Sequence, residues 1–254
     1  MIKDYQAPAG LLNERTILVT GAGDGIGRTV AIGSASAGAR VILLGRTQSK
    51  LEQVYDSIRE QCPEAPEPVI HPLDLVTAGQ DDYEALAQAI LEQFGRLDAL
   101  LHNAGLLGPL SPMQYYPEDV WSKLMQVNVN AAFALSKALL PALNVAPDAR
   151  LLFTSSSVGR QGRAYWGAYA VSKFAVEGMM QVFAQELENT SAIRVNSINP
   201  GATRTEMRAA AYPAEDPASL PTPEKLLPAY LYLLGPDSQS LHGQAINIRD
   251  MITL

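Results

Sequence analysis

Short apolar runs alternate along the chain with longer stretches in which apolar residues return every three or four positions. The runs fall at residues 16–20, 41–44, 69–75, 98–101, 151–153, 193–198 and 244–248. They are rich in valine, isoleucine and leucine, and most show no polar alternation. That pattern predicts strands buried on both faces, as in a parallel sheet. The intervening stretches read as helices, among them residues 80–94, 117–143, 168–187 and 223–234. In 80–94, for example, Leu86, Ala89, Ile90 and Phe94 share one face. Seven strands alternating with helices predict a doubly wound parallel α/β sheet of the Rossmann type, with helices on both faces. No linker, repeat or low-complexity tract divides the chain, so residues 1–254 are expected to form one domain. Residues 1–14 read as an arm packed on its body.

The chemistry gathers in the loops that follow these strands, and in such a sheet those loops share one edge. The first strand runs into Gly21-Ala22-Gly23-Asp24-Gly25-Ile26-Gly27 and then a helix. Strand, glycine loop and helix N-terminus together make a phosphate cradle, because backbone N–H groups and the helix dipole face the anion. The second strand ends in Gly45-Arg46-Thr47, where the adenosine ribose of a dinucleotide should lie. A carboxylate there suits a ribose 2′-hydroxyl and an arginine suits a 2′-phosphate, so Arg46 points to NADP(H), with NAD(H) still possible. Asp74, followed by Leu75, closes the third strand and is read either as an acceptor for the adenine amine or as a turn cap. The fourth strand ends in His102-Asn103-Ala104-Gly105, whose small residues let a cofactor lie close. His102 itself is read as a core histidine and His71 as structural. The sixth strand ends in Asn199-Pro200-Gly201-Ala202-Thr203, and the Pro- and Ala-rich residues 203–222 read as a mobile lid over the substrate.

The fifth strand leads into Ser155-Ser156-Ser157, a glycine-containing loop and a helix that carries Tyr169 and Lys173. Residues four apart on a helix lie one above the other, so the ammonium and the phenol share a face. An unperturbed tyrosine titrates near ~10, and a neighbouring cation favours its phenolate. Ser156 at the strand end could offer a second hydroxyl to the same point. The set makes an acid that can protonate a carbonyl oxygen, with a hydroxyl beside it. Tyr-x-x-x-Lys alone is a common surface spacing; the ordered loops around it give it meaning. Asn128 interrupts an otherwise apolar helical stretch, a costly position unless the amide is hydrogen-bonded, and marks an expected bend with a bound water. Tyr165 and Trp166 are expected to shape a pocket, or Trp166 an interface.

Composition narrows the classes. Hydrophobic residues make up 47% and charged residues 18%, a globular balance. The net charge of −7 argues against a nucleic-acid surface. No apolar run is long enough for a membrane span, and the N-terminus lacks the apolar core of a secretory signal. The single cysteine, Cys62, can form no internal disulfide, which fits a reducing cytoplasm. No metal site is suggested.

The ordered set Thr20-Gly21-x-x-x-Gly25-Ile26-Gly27, Asn103-Ala104-Gly105, Asn128, Ser156, Tyr169-x-x-x-Lys173 and Pro200-Gly201 resembles the short-chain dehydrogenase/reductase family, over nearly the whole chain. The nearest likeness is to bacterial oxidoreductases of the oxoacyl-carrier-protein reductase kind. The resemblance implies Tyr169 as general acid/base, Lys173 as the cation that lowers its pKa and binds the nicotinamide ribose, and Ser156 as the group that positions the carbonyl. It also implies that Asn128 holds a relay water, and that Pro200, Gly201 and Thr203 line the nicotinamide side. Thr47 and Leu75 join Arg46, Asp74 and the glycine loop in the implied cofactor set. The expected activity is NADP(H)-linked interconversion of a small-molecule carbonyl and alcohol. An epimerase or dehydratase on the same fold, or a non-catalytic NADP-binding regulator, are the alternatives. Two features depart from the family pattern. Asp24 stands where NADP-using members often carry a basic residue, and is read first as a helix N-cap. The 244–250 segment lacks a Gly-Gly pair found in many members. The helix at 168–187 is apolar over more of its circumference than one sheet needs, so a homodimer or homotetramer through it and 117–143 is expected.

Overall fold

A computed structural model describes residues 5–252. Seven strands form one parallel sheet: β1 Thr16–Thr20, β2 Arg40–Gly45, β3 Val69–Pro72, β4 Ala99–His102, β5 Ala149–Thr154, β6 Ile193–Asn199 and β7 Gln244–Asn247. Their order across the sheet is β3-β2-β1-β4-β5-β6-β7. The helices are α1 Gly25–Ser36, α2 Gln48–Gln61, α3 Gln80–Phe94, α4 Glu118–Met125, α5 Ala131–Val145, α6 Gly167–Leu187, α7 Glu206–Ala211, α8 Leu227–Leu234 and the short α9 Ile248–Met251.

The unbroken apolar runs are explained by two cores, one on each face of the sheet. Side chains alternate sides along a strand. Leu18, Ile42, Leu44, Leu100, Leu151 and Phe153 enter the core beneath α3, α5 and α6. Their neighbours Ile17, Val19, Val41, Leu43, Leu101 and Leu152 enter the core beneath α1, α2 and α8. With both faces covered, a polar residue inside a strand needs a hydrogen-bond partner, as Arg150 in β5 and Ser197 in β6 have in Ser238 and Glu177. The order reverses at β1, whose neighbours are β2 and β4, so the crossovers leave to opposite faces there. The carboxyl ends of β1 and β4 therefore flank an open crevice, the usual ligand position in such sheets.

The described part of the arm packs as expected: Leu12 is fully buried, and Tyr5 stacks edge-on against Tyr232 while donating to Asp237 at 2.7 Å. Residues 1–4 lie outside the described part.

Several boundaries differ from the sequence reading. The third strand, read as far as Leu75, ends at Pro72, so Asp74 and Leu75 lie in the loop after it. The single helix expected at 117–143 is two helices joined by a π-helical turn, Gln126–Asn130. Asn128 lies inside that turn, so the bend read from its polarity is present as a bulge. The helix expected at 223–234 opens as a tighter 3₁₀ turn, Pro223–Leu226, because Pro228 has no N–H to give the Glu224 carbonyl. The last strand stops at Asn247, one residue short, and Ile248 begins α9 instead.

Candidate active site

An open cleft of about 800 Å³ runs along the carboxyl edge of the sheet. Its floor at one end is the β1–α1 loop. Gly21 adopts φ 66°, and a Cβ there would stand 2.9 Å from the Ala104 Cα, so β1 and β4 approach closely only because this position is glycine. Gly27 lies behind the loop rather than in the cleft; its Cβ would fall 2.1 Å from the Gly21 carbonyl oxygen. Gly25 and Ile26 present the N-terminus of α1 to the cleft. Thr20 ties the two strands together, its hydroxyl accepting from the N–H groups of Asn103 and Ala104, each at 3.0 Å.

Asp24 is the N-cap of α1, as read from the sequence. Its carboxylate accepts from Gly25 N at 2.7 Å and from Lys50 Nζ at 2.6 Å. The Lys50 ammonium beside it holds this carboxyl below the usual carboxylate range. Lys50, on the first turn of α2, also stands 3.7 Å from Glu206 at the start of α7. Arg46 and Thr47 lie exposed at the same end of the cleft, and among the described residues Arg46 has no ion-pair partner. Asp74 accepts from Val76 N at 3.0 Å, so it caps its turn, and together with Leu75 it also lines the cleft.

The opposite end holds Ser156, Tyr169 and Lys173, brought together by the end of β5 and the first turns of α6. Lys173 donates to the Thr154 carbonyl at 2.7 Å and lies 5.5 Å from the Tyr169 ring centre. Here the electrostatics differ from the sequence reading. Burial pushes the Tyr169 phenol up to about 12, and the nearby Ser156 hydroxyl only partly offsets it. Burial also pulls the Lys173 ammonium down to about 8, against the pull of Glu177. In this state the lysine does not make a phenolate of the tyrosine, because its ammonium is itself desolvated and turned to a backbone carbonyl. What results is a protonated phenol beside an amine poised near neutrality.

Asn128 stays out of the main cleft. Its Oδ1 accepts from Leu106 N at 2.8 Å, and its Nδ2 donates to Leu106 O and Ser172 Oγ, each at 3.0 Å. Asn128 and Lys173 border a small cavity, with Thr20, His102 and Thr154, that has room for a single water. His102 is the core histidine expected: it stacks on Phe153 at 4.9 Å, meets Ser136 Oγ at 2.7 Å, and burial drops its pKa to about 3. Burial also lowers the pKa of His71.

Pro200, Gly201 and Thr203 line the wall between the two ends. The C-terminal segment closes this wall without a glycine pair: Arg249 packs on Gly201 and donates to Ala202 O at 3.0 Å. Residues 203–222, read as the lid, carry α7 and a 3₁₀ turn at Pro217–Ser219. Thr205 caps α7 by accepting from Arg208 N at 3.2 Å, and Arg204 donates to the carbonyls of Pro217, Ala218 and Leu220. Trp166 lines the cleft, its ring 5.7 Å from Tyr169 and 6.0 Å from Tyr212.

Several residues of the site escaped the sequence reading. Lys50 and Arg163 sit at positions where only the fold decides what a charge faces. Glu177 left a clue, being four residues beyond Lys173 on the same helical face. It is buried, accepting from Arg160 Nε at 2.9 Å and from Ser197 Oγ at 2.6 Å.

The cleft suits a dinucleotide. Its length joins a helix N-terminus to a hydroxyl cluster, its loop leaves no space for a Cβ at Gly21, and the buried hydroxyls of Thr154 and Ser155 on its wall lack protein partners.

Comparison with known proteins agrees with this geometry. The family model for short chain dehydrogenase matches residues 15–216. The uncharacterized oxidoreductase YciK of Escherichia coli is 54% identical over 243 residues, 96% of this chain and 95% of that protein. The 3-oxoacyl-[acyl-carrier-protein] reductase FabG of Vibrio cholerae is 29% identical over 93% of this chain and 96% of its own length. A short chain dehydrogenase of Escherichia coli CFT073, solved in complex with NADPH, superposes with a TM-score of 0.91 at 54% identity, covering 94% of this chain and 98% of that one.

Proposed function

This chain belongs to the short chain dehydrogenase family, and on that premise we propose that it is an NADP(H)-dependent oxidoreductase interconverting a carbonyl and a secondary alcohol on a small molecule. One observation carries the reading: a single cleft has an anion cradle and an arginine without an ion-pair partner among the described residues at one end, and Ser156, Tyr169 and Lys173 at the other. NADP(H), when bound, supplies the hydride. Gly21, Gly25 and Ile26 would receive its pyrophosphate at the α1 N-terminus. Arg46 and Thr47 would meet the 2′-phosphate, Asp74 and Leu75 the adenine. Asn103, Ala104 and Gly105 would flank the ribose, and Pro200, Gly201 and Thr203 the nicotinamide.

The chain's own part is the proton. With its pKa near 12, the Tyr169 hydroxyl is protonated across the neutral range, which suits donation to a carbonyl oxygen in reduction. Ser156 donates to the same oxygen and fixes its position. Lys173, with a pKa of about 8, is cationic at neutral pH and steadies the phenolate left behind. The small cavity bordered by Asn128 and Lys173 would hold the water of a relay that returns the proton. Buried His102, its pKa lowered to about 3, is neutral and takes no part.

Self-association belongs to the same proposal. Val171, Phe174 and Val182 on α6 and Phe133 on α5 remain exposed, while Val176, Met180 and Phe183 of α6 are buried on the sheet. The exposed apolar face would pack helix on helix in a homodimer or homotetramer. No described helix is long and apolar enough to cross a membrane; a cytoplasmic site of action fits the lone cysteine.

The test is NADPH oxidation over ketones, aldehydes and 3-oxoacyl thioesters, with product identification. An alcohol product that requires Tyr169 supports the reading. NADPH binding with no carbonyl reduced by any of these classes would refute it.

A further inference from the structure

We infer that the mouth of the cleft is a carboxylate subsite in which Arg163 and Tyr212 grip a carboxylate on the substrate while its carbonyl reaches Tyr169. The inference rests on the oxidoreductase reading for which end of the cleft reacts, and it adds the substrate class: an oxo acid.

Three arginines reach this end of the cleft, and their charges are spent differently. Arg208 is paired to Glu215 through two N–H groups, at 2.6 and 2.7 Å, and lies 3.7 Å over the Tyr212 ring. Arg249 is turned to the Ala202 carbonyl. Arg163 makes one side-chain hydrogen bond, from Nη1 to the Tyr212 hydroxyl at 3.1 Å, and among the described residues it has no carboxylate partner. Its remaining N–H groups are available. Because the Tyr212 oxygen accepts from Arg163, its own proton is free to donate. Two donors thus converge at one point on the cleft wall, and a planar guanidinium matches the two oxygens of a carboxylate.

The backbone that presents Arg163 is built against preference. Tyr165 adopts φ 72°, a left-handed conformation rare for a bulky residue. It is held there by Ser111 N donating to Tyr165 O at 3.0 Å, and Trp166 N closes the turn onto Arg163 O at 3.3 Å. The same turn seats the Trp166 indole between the rings of Tyr169 and Tyr212. An apolar or flat segment linking carbonyl to carboxylate would lie along that indole. Strain of this kind persists where the surroundings enforce it, and here what it positions is a cation and an aromatic wall.

The experiment compares para-formylbenzoate with its methyl ester on enzyme saturated with NADP⁺, read by calorimetry, and on enzyme with NADPH, read by turnover. The carboxylate should bind about 10- to 100-fold more tightly than the ester, the weight of a charge-assisted pair. Arg163→Ala should erase that difference, chiefly through KM rather than kcat, as loss of uniform binding does. Arg163→Lys should keep part of it, and a normally folded Arg163→Lys guards against a misfolded alanine variant. Equal affinity for the two compounds, no detectable binding of either, or a preference that survives Arg163→Ala would overturn the subsite. A carboxylate preference in binding without any reduction would instead leave the subsite standing and count against the oxidoreductase reading.

Discussion

Replacing Arg46 with alanine tests how the cleft chooses its dinucleotide. The guanidinium is exposed and, among the described residues, free of ion pairs, at the turn where the 2′-position should lie. A charge-assisted contact of a guanidinium with phosphate contributes about 1.5–3 kcal/mol, a factor of about 10 to 100 in affinity. Solvent screening at an exposed position favours the lower figure. Asp24 would subtract from it if its carboxylate faced the phosphate, but both of its oxygens are engaged, by Gly25 N and by Lys50. The expected loss on Arg46→Ala is therefore about tenfold for NADPH, with NADH nearly unchanged. The two cofactors are titrated by nucleotide fluorescence into wild type and variant. Added salt should weaken NADPH more than NADH in wild type and alike in the variant. A second substitution, Lys50→Ala, uncovers the Asp24 carboxylate and should cut NADPH affinity again. Equal losses for both cofactors in Arg46→Ala would show that this arginine does not read the 2′-phosphate.

Three further outcomes are expected. Tyr169→Phe should retain NADPH binding and lose about 10²–10⁴-fold in turnover, the usual weight of a general acid, whereas Lys173→Ala should lose both; unchanged turnover in the phenylalanine variant contradicts the assignment. Because burial depresses the Lys173 pKa to about 8, the residue is cationic below that pH and neutral above it. The kcat/KM for NADPH, which reports the free enzyme, should be level below about pH 8 and fall above it; a profile that keeps rising there contradicts the role given to the cation. Phe174→Glu places a charge on the exposed apolar face of α6 and should shift light scattering from an oligomer to a monomer; a monomeric wild type at micromolar concentration would remove the premise.

How much of this was legible beforehand depended on whether neighbours in sequence are also neighbours in space. Tyr169 and Lys173 are one helical turn apart, so their pairing follows from the spacing. The glycine loop follows from residue types that tolerate positive φ, and Asp24 was readable as a cap because capping is local. The central strands β1, β2 and β4 were readable because burial on both faces leaves them almost wholly apolar, whereas the edge strands β3 and β7 are only partly covered. Lys50 against Asp24, Arg163 against Tyr212 and Arg160 against Glu177 join residues far apart in the chain, and no periodicity signals such pairs. The burial of Tyr169 and Lys173 was not legible for a related reason. Spacing reveals the cation, but only the packed structure reveals how thoroughly both groups are removed from water.

The π-turn at Gln126–Asn130 carries one residue more than a regular helix would hold, and so it works as a phase shifter. Upstream of it, α4 sends Leu124 toward Val158 and Ala168 beside the reacting groups. Downstream, α5 sends Ala131, Leu135 and Leu139 to the sheet core. A straight helix could not serve both targets, since removing one residue rotates everything beyond it by about 100°. A single-residue deletion in this turn would therefore swing either Leu124 or Leu135 out of its socket and carry the Asn128 amide off Leu106. The length of this one segment is thus fixed more strictly than its composition.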